Sequence, residues 1–203
     1  MKHIILTMMV WLFIIPINSL QSFKFKGEKK YSSPIMNTIR PINIVKEISN
    51  NNTYKDMHKE NLFDFWVGKW EAIWDEGNNK IGKGTNEVTK ILDGKVIKEN
   101  FIISEGQSKG FKGVSISVYN EKTDIWKQAW ADNQGGYYDF TGEFHADKRI
   151  FKTQTINKNG KQFISRMVFK DITKDSFIWD WESSSDNGVT WNLNWRINYK
   201  RIY

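Results

Sequence analysis

Three polar side chains lie inside segments that read as strands, and their setting invites chemistry. Arg166 lies within Phe163-Ile164-Ser165-Arg166-Met167-Val168-Phe169, Gln128 between Trp126 and Trp130, and Glu87 within residues 85–91. Burying a polar group without a partner costs roughly 2 to 7 kcal/mol, so each must find one. One partner is a ligand. Arg166 can hold a carboxylate or phosphate head group while Trp130, Trp179, Trp181 and Trp195 enclose an apolar body, the usual division of labour in a small-molecule pocket. The other is internal: Glu87 and Arg166 pair with each other or face solvent, and the apolar residues on both sides of Arg166 leave its face undecided. An enzyme would use Glu87 or Asp132 as general acid or base with Arg166 supporting an oxyanion. A fully packed interior would instead leave the outer surface as the working part.

Other chemistries lack their residues. The chain has no Cys, which excludes disulfides, thiolate metal sites and c-type haem attachment. Its three His are His3, His58 and His145, and neither of the later two stands in a nucleophile-elbow context. Two such histidines cannot make a three-His zinc site, and no metal or other cofactor is expected. No phosphate-binding glycine loop occurs; Gly82-Lys83-Gly84 reads as a turn or bulge glycine pair.

The elements that must position these residues begin after an unusual N-terminus. Lys2 and His3 precede an apolar run from Ile4 to Ile15, broken by Pro16 and followed by small and polar residues to Ser22. Residues 1–22 thus have the form of a secretory signal, and the run falls short of the ~20 residues that span a bilayer. An exported chain, periplasmic or secreted and without a stable membrane anchor, is expected. Residues 23–60, with Lys24, Lys26, Lys29, Lys30 and the Asn50-Asn51-Asn52 run, read as a flexible polar leader. The overall charge of +7 belongs mostly to the segment before residue 61, and residues 61–203 are close to neutral. That argues against nucleic acid as a partner, because a binding domain would carry its positive excess on the folded surface.

From Leu62 onward, short runs rich in Trp, Phe, Tyr, Ile, Val and Thr alternate with turn chemistry. Breaks fall at residues 76–79, 93–94, 107–110, 120–123, 133–136, 145–148, 157–160, 171–175 and 183–188. None can hold a crossover helix, so neighbouring strands must be antiparallel, and nine hairpins give ten strands. An open sheet of that size would expose two edges, so closure into an up-and-down barrel is expected. Alternation predicts interior faces of Trp126, Gln128 and Trp130, of Phe177, Trp179 and Trp181, and of Trp191, Leu193, Trp195, Ile197 and Tyr199. Large inward rings either fill a small barrel or narrow it to a ligand-sized cavity.

Leu62-Phe63-Asp64-Phe65-Trp66-Val67-Gly68-Lys69-Trp70 places a short helical turn before Gly-x-Trp at the first strand. This resembles the opening of calycin barrels, the lipocalin and fatty-acid-binding-protein group. The pieces at 90–94, 117–120, 128–136 and 175–179 are similar to a family of exported bacterial lipocalin-like proteins of unknown function. The resemblance covers residues 62–203 and implies an all-β, ten-stranded calycin-like barrel with a short N-terminal helical turn. It brings no settled ligand or reaction. It also implies that Arg201 packs on Trp70 to close the barrel, a cation–π contact worth about 0.5 to 2 kcal/mol. Some calycins bind haem through one His; His145, beside Glu143, Asp147 and Lys148, reads instead as a hairpin tip. Ser184-Ser185-Asp186-Asn187-Gly188-Val189-Thr190-Trp191 matches the Asp-box pattern of propellers, and a single copy here reads as a stabilised turn. The expected occupant of the barrel is a small apolar or amphiphilic ligand.

Overall fold

A computed structural model describes residues 58–145 and 147–203. The expected signal segment 1–22 and the leader as far as residue 57 lie outside the described residues. Two single 3₁₀ turns, Lys59–Asn61 and Asp64–Trp66, precede eleven strands. These are β1 (Gly68–Gly77), β2 (Lys80–Ile91), β3 (Val96–Glu105), β4 (Lys112–Asn120), β5 (Ile125–Asp132) and β6 (Tyr137–His145). They continue with β7 (Lys148–Thr153), β8 (Ile156–Lys158), β9 (Lys161–Lys170), β10 (Ser176–Ser184) and β11 (Asn192–Ile202).

All the pairings between these strands are antiparallel, and the ring closes where β11 returns beside β1. It is a closed ten-stranded barrel, because β7 and β8 share one place against β9. The break between them has a local cause: the Ser165 backbone N–H bonds to Thr153 Oγ1, 3.0 Å away, instead of to a strand carbonyl. Tight hairpins form where the sequence supplies residues that tolerate positive φ, such as Asn78 and Asn79 (53° and 61°) and Asn159-Gly160 (51° and 72°).

Bulky rings face small residues across the interior. Trp74 opposes Gly82 and Ala72 opposes Gly84 between β1 and β2, so this glycine pair lies within a strand and not in a turn, and the β2–β3 register shift at Lys83/Gly84 is the bulge the sequence allowed. Between β4 and β5, Ser115 opposes Trp130 and Ser117 opposes Gln128. Gly113 admits the same indole: a Cβ there would stand 2.0 Å from Trp130 Cζ2.

One end of the barrel is plugged. Phe63 stacks on Phe151 at 4.4 Å and meets Trp126 and Phe169 edge-on, while Trp66 meets Phe169 at 5.2 Å. Trp70 and Arg201 are directly opposite in the β1–β11 register, with the guanidinium 4.0 Å above the indole. Arg201 also donates to the carbonyls of Val67 (2.8 Å), Phe65 (3.0 Å) and Lys174 (2.7 Å), tying the 3₁₀ turn and the β9–β10 loop to the last strand. Gly68 makes this possible, because its φ of +143° suits glycine and a Cβ would lie 2.1 Å from Arg201 Nη1.

The alternation of the last strand holds only in part. Trp195, Ile197 and Tyr199 face inward, but Leu193 is 49 % exposed. A bulge in the β10 pairing between Trp181 and Glu182 shifts the register and turns the start of β11 outward. In the β10–β11 turn, Ser184 Oγ accepts from the Gly188 N–H, Asp186 accepts from both N–H and hydroxyl of Thr190, and Trp191 Nε1 donates to the Gly188 carbonyl. The two bonds from Thr190 and one from the Ser184 hydroxyl at 2.7 Å hold the Asp186 carboxyl down at about 2.

Candidate functional site

Above the plug, the packed rings leave two small spaces inside the barrel. An inner cavity of about 40 Å³ is lined by Trp66, Glu99, Phe101, Trp130, Trp179 and Tyr199 among others. A second space of about 50 Å³ lies toward the unplugged end, where Ser108, Gln134 and Asn194 reach it from the β3–β4, β5–β6 and β10–β11 ends. Phe111, Trp181 and Trp195 line both, so they form the partition between inside and mouth. Trp195 meets Trp74 at 5.3 Å and Trp179 at 5.6 Å, Trp181 meets Tyr138 at 5.9 Å, all edge-on, and Phe111 stacks over Trp130 at 6.4 Å, so the partition is built of rings in edge-to-face and stacked contact.

Four of the residues singled out in the sequence line the inner cavity: Trp130, Trp179, Trp181 and Trp195. Gln128 faces inward one step away, 2 % exposed, donating through Nε2 to Ser117 Oγ at 2.9 Å. The other two do not reach the interior. Arg166 opposes Glu182 on the outer face of β9 and β10, bonds to it at 2.6 Å, and lies 3.8 Å over the Trp191 ring. Met167 and Phe169 take the inward positions beside it. Both faces of β9 are covered here, since Ile150 and Val168 are buried on the outer side, and that is why the sequence reads as apolar throughout. Glu87 is also outside, exposed and 3.4 Å from Lys69, because its neighbour Asn86 takes the inward position.

Asp132 caps a turn, accepting from the backbone N–H groups of Gln134 and Gly136, both 2.9 Å away. Glu87, Asp132 and Arg166 therefore do not meet, and the acid–base arrangement drawn from them has no geometry. His145 is at the exposed end of β6, on the side of Glu143. Among the described residues no three His, Asp or Glu side chains are placed to hold one metal ion.

Glu99 is what the sequence reading missed. It projects from the middle of β3 into the cavity, buried at 6 % exposure. Oε1 accepts from Asn86 Nδ2 at 2.7 Å and Oε2 from Ser115 Oγ at 2.6 Å, so β2 and β4 hold it from either side. Burial pushes the carboxyl up from its ordinary 4.5 to about 7, with the two hydrogen bonds holding it back. Tyr199, facing the same space from β11, is pushed well above the usual phenol value by burial and by the charge of Glu99, and stays neutral. A signal for Glu99 exists in the parity of β3: Ile97, Glu99, Phe101 and Ile103 share one face. Its flanks, Lys98 and Asn100, disguise it as surface.

Polar capacity remains unspent around this carboxyl. Asn86 Oδ1 and Gln128 Oε1 are buried and accept no hydrogen bond from the described residues, and the indole N–H groups of Trp66 and Trp195 donate none. By contrast the Asp180 carboxylate, on the outer face, is fully paired. Asp180 takes two 2.7 Å bonds from Arg196 and one of 2.5 Å from Lys170. Burial raises its carboxyl, but these bonds outweigh it and hold the group below the usual range. No protein-family model matches the chain, and no curated protein matches it.

Proposed function

We propose that this chain is an exported, lipocalin-like binding protein that holds a small, largely apolar molecule inside its barrel. The observation that carries the reading is the inner cavity, where tryptophan and phenylalanine rings surround one buried carboxyl and polar atoms remain unpaired. A protein stabilised only by packing gains nothing from such groups, because each unpaired buried polar atom costs about 1 to 3 kcal/mol. A ligand with complementary groups recovers that cost, and the rings supply apolar contact.

The guest enters from the unplugged end and displaces Phe111, Trp181 and Trp195 from their resting positions. It is compact, on the order of one ring, since the spaces on either side of these side chains are about 40 and about 50 Å³. An anionic head group has lost its support, because Arg166 pairs with Glu182 outside the barrel.

The test is native against denaturing mass spectrometry of the full chain purified from cells, with organic extraction of whatever is released. A small molecule retained natively and lost on denaturation is the expected result. Protein recovered empty, with tryptophan emission unmoved by a panel of one-ring compounds, overturns the reading.

A further inference from the structure

We propose that the ligand is a small organic cation, a protonated amine or ring nitrogen on a compact apolar group, whose N–H is received by the Glu99 carboxylate at the wall of the cavity. This rests on the interior-binding reading above and names the chemistry of its guest.

The argument starts from what Glu99 lacks. Each of its oxygens takes one hydrogen bond, from Asn86 and from Ser115, and a carboxylate offers about four acceptor positions. No cation among the described residues bonds to it. Arg166 is engaged by Glu182, Arg196 and Lys170 by Asp180, and Arg201 by backbone carbonyls, all away from the cavity. The elements packed against Glu99 present Asn86 from β2, Ser115 from β4 and Tyr199 from β11, and of these only Tyr199 titrates. Tyr199 is neutral across the physiological range, so nothing in the fold balances a negative charge on Glu99.

The acceptors and ring faces near Glu99 select the same kind of guest, while the indole N–H groups of Trp66 and Trp195 are left for an acceptor on it. Asn86 Oδ1 and Gln128 Oε1 are further acceptors without donors, each on a residue at most 2 % exposed. Indole faces attract cations most strongly when water is excluded, and Trp130, Trp179, Trp181 and Trp195 line this cavity. An anion would meet the Glu99 charge with no counter-ion. An uncharged hydrocarbon would leave the free acceptor positions of the Glu99 carboxyl empty. A cation with N–H groups supplies both the donors and the charge that this carboxyl lacks.

The test compares three molecules of nearly equal shape on the full chain: benzylamine, benzyl alcohol and benzoate, titrated calorimetrically at pH 8 and at pH 6. At pH 8 benzylamine should bind about tenfold or more tightly than benzyl alcohol, as a charge-assisted bond replaces a neutral one, and benzoate should not bind. The preference should shrink at pH 6, where Glu99 is largely protonated, and should vanish in Glu99→Gln. The wild-type pH comparison stands even if that variant does not fold. Benzyl alcohol binding as tightly as benzylamine at pH 8 overturns the cation proposal and leaves interior binding intact. If none of the three binds and native mass spectrometry finds the protein empty, both fail together.

Discussion

Replacing Glu99 by glutamine removes a charge while keeping the shape; the amide oxygen still accepts from Asn86, the Ser115 hydroxyl turns from donor to acceptor of the amide NH2, and the effect on stability can be worked from the structure. The carboxyl titrates at about 7 in the fold against an ordinary 4.5. Below pH 4.5 both folded and unfolded forms are protonated and the group costs nothing. Between 4.5 and 7 the unfolded chain releases its proton while the fold retains it, so stability falls as pH rises. Above 7 both are ionised, and the penalty levels off at about 3 kcal/mol. Glutamine has no such dependence. Urea denaturation followed by tryptophan emission at intervals from pH 5 to pH 8 gives the stability of each protein, and the difference between them isolates this residue from the other titrating groups. Glu99→Gln should gain on the wild type by about 2 to 3 kcal/mol over that range, the rest of the penalty having already developed below pH 5. A difference constant to within about 0.5 kcal/mol would show that Glu99 is not a desolvated acid, and the electrostatics of the cavity would need to be redrawn.

Arg201→Ala should cost about 3 kcal/mol in the same denaturation assay, since it strips donors from the carbonyls of Val67 and Phe65 and uncovers Trp70. Asp186→Ala should lower the melting temperature at neutral pH. The Asp186 contribution is complete above the ordinary carboxylate range and is lost as pH falls toward about 2, so mutant and wild type should converge in acid. Phe111→Ala should speed the entry of benzyl alcohol in stopped-flow fluorescence by opening the partition between the two spaces, whereas Arg166→Ala should leave that rate unchanged.

Antiparallel order was legible from Leu62 onward because every break is short and carries turn residues that tolerate positive φ. Closure followed from the cost of open edges. The inward tryptophans were legible too, since Trp126 and Trp130, and Trp179 and Trp181, keep the even spacing that puts residues of a strand on one face. What was not legible concerned residues where alternation gives no single answer. Arg166 sits in a strand covered on both faces, so apolar neighbours did not imply an interior position. Leu193 left the interior through a bulge, which one sequence does not announce. Glu99 shares its strand face with Ile97, Phe101 and Ile103, but the polar flanks Lys98 and Asn100 made it read as surface, whereas Glu87 points outward because Asn86 and Val88 take the inward positions beside it. The seventh strand was expected to be whole, and a side-chain hydroxyl, Thr153 Oγ1, took the bond that would have continued it.

The central claim, that a guest occupies the inside of the barrel, is tested most directly by the indole N–H resonances of the ¹⁵N-labelled full chain. Benzylamine and benzyl alcohol serve as probes, titrated separately. Trp195 and Trp66, which line the inner cavity with their N–H groups unpaired, should shift and saturate. Trp191, whose N–H is held by the Gly188 carbonyl on the outer side, should not move. Cavity resonances that stay in place at high concentrations of both probes, or a shift confined to Trp191, would contradict the account and place the working surface outside the barrel.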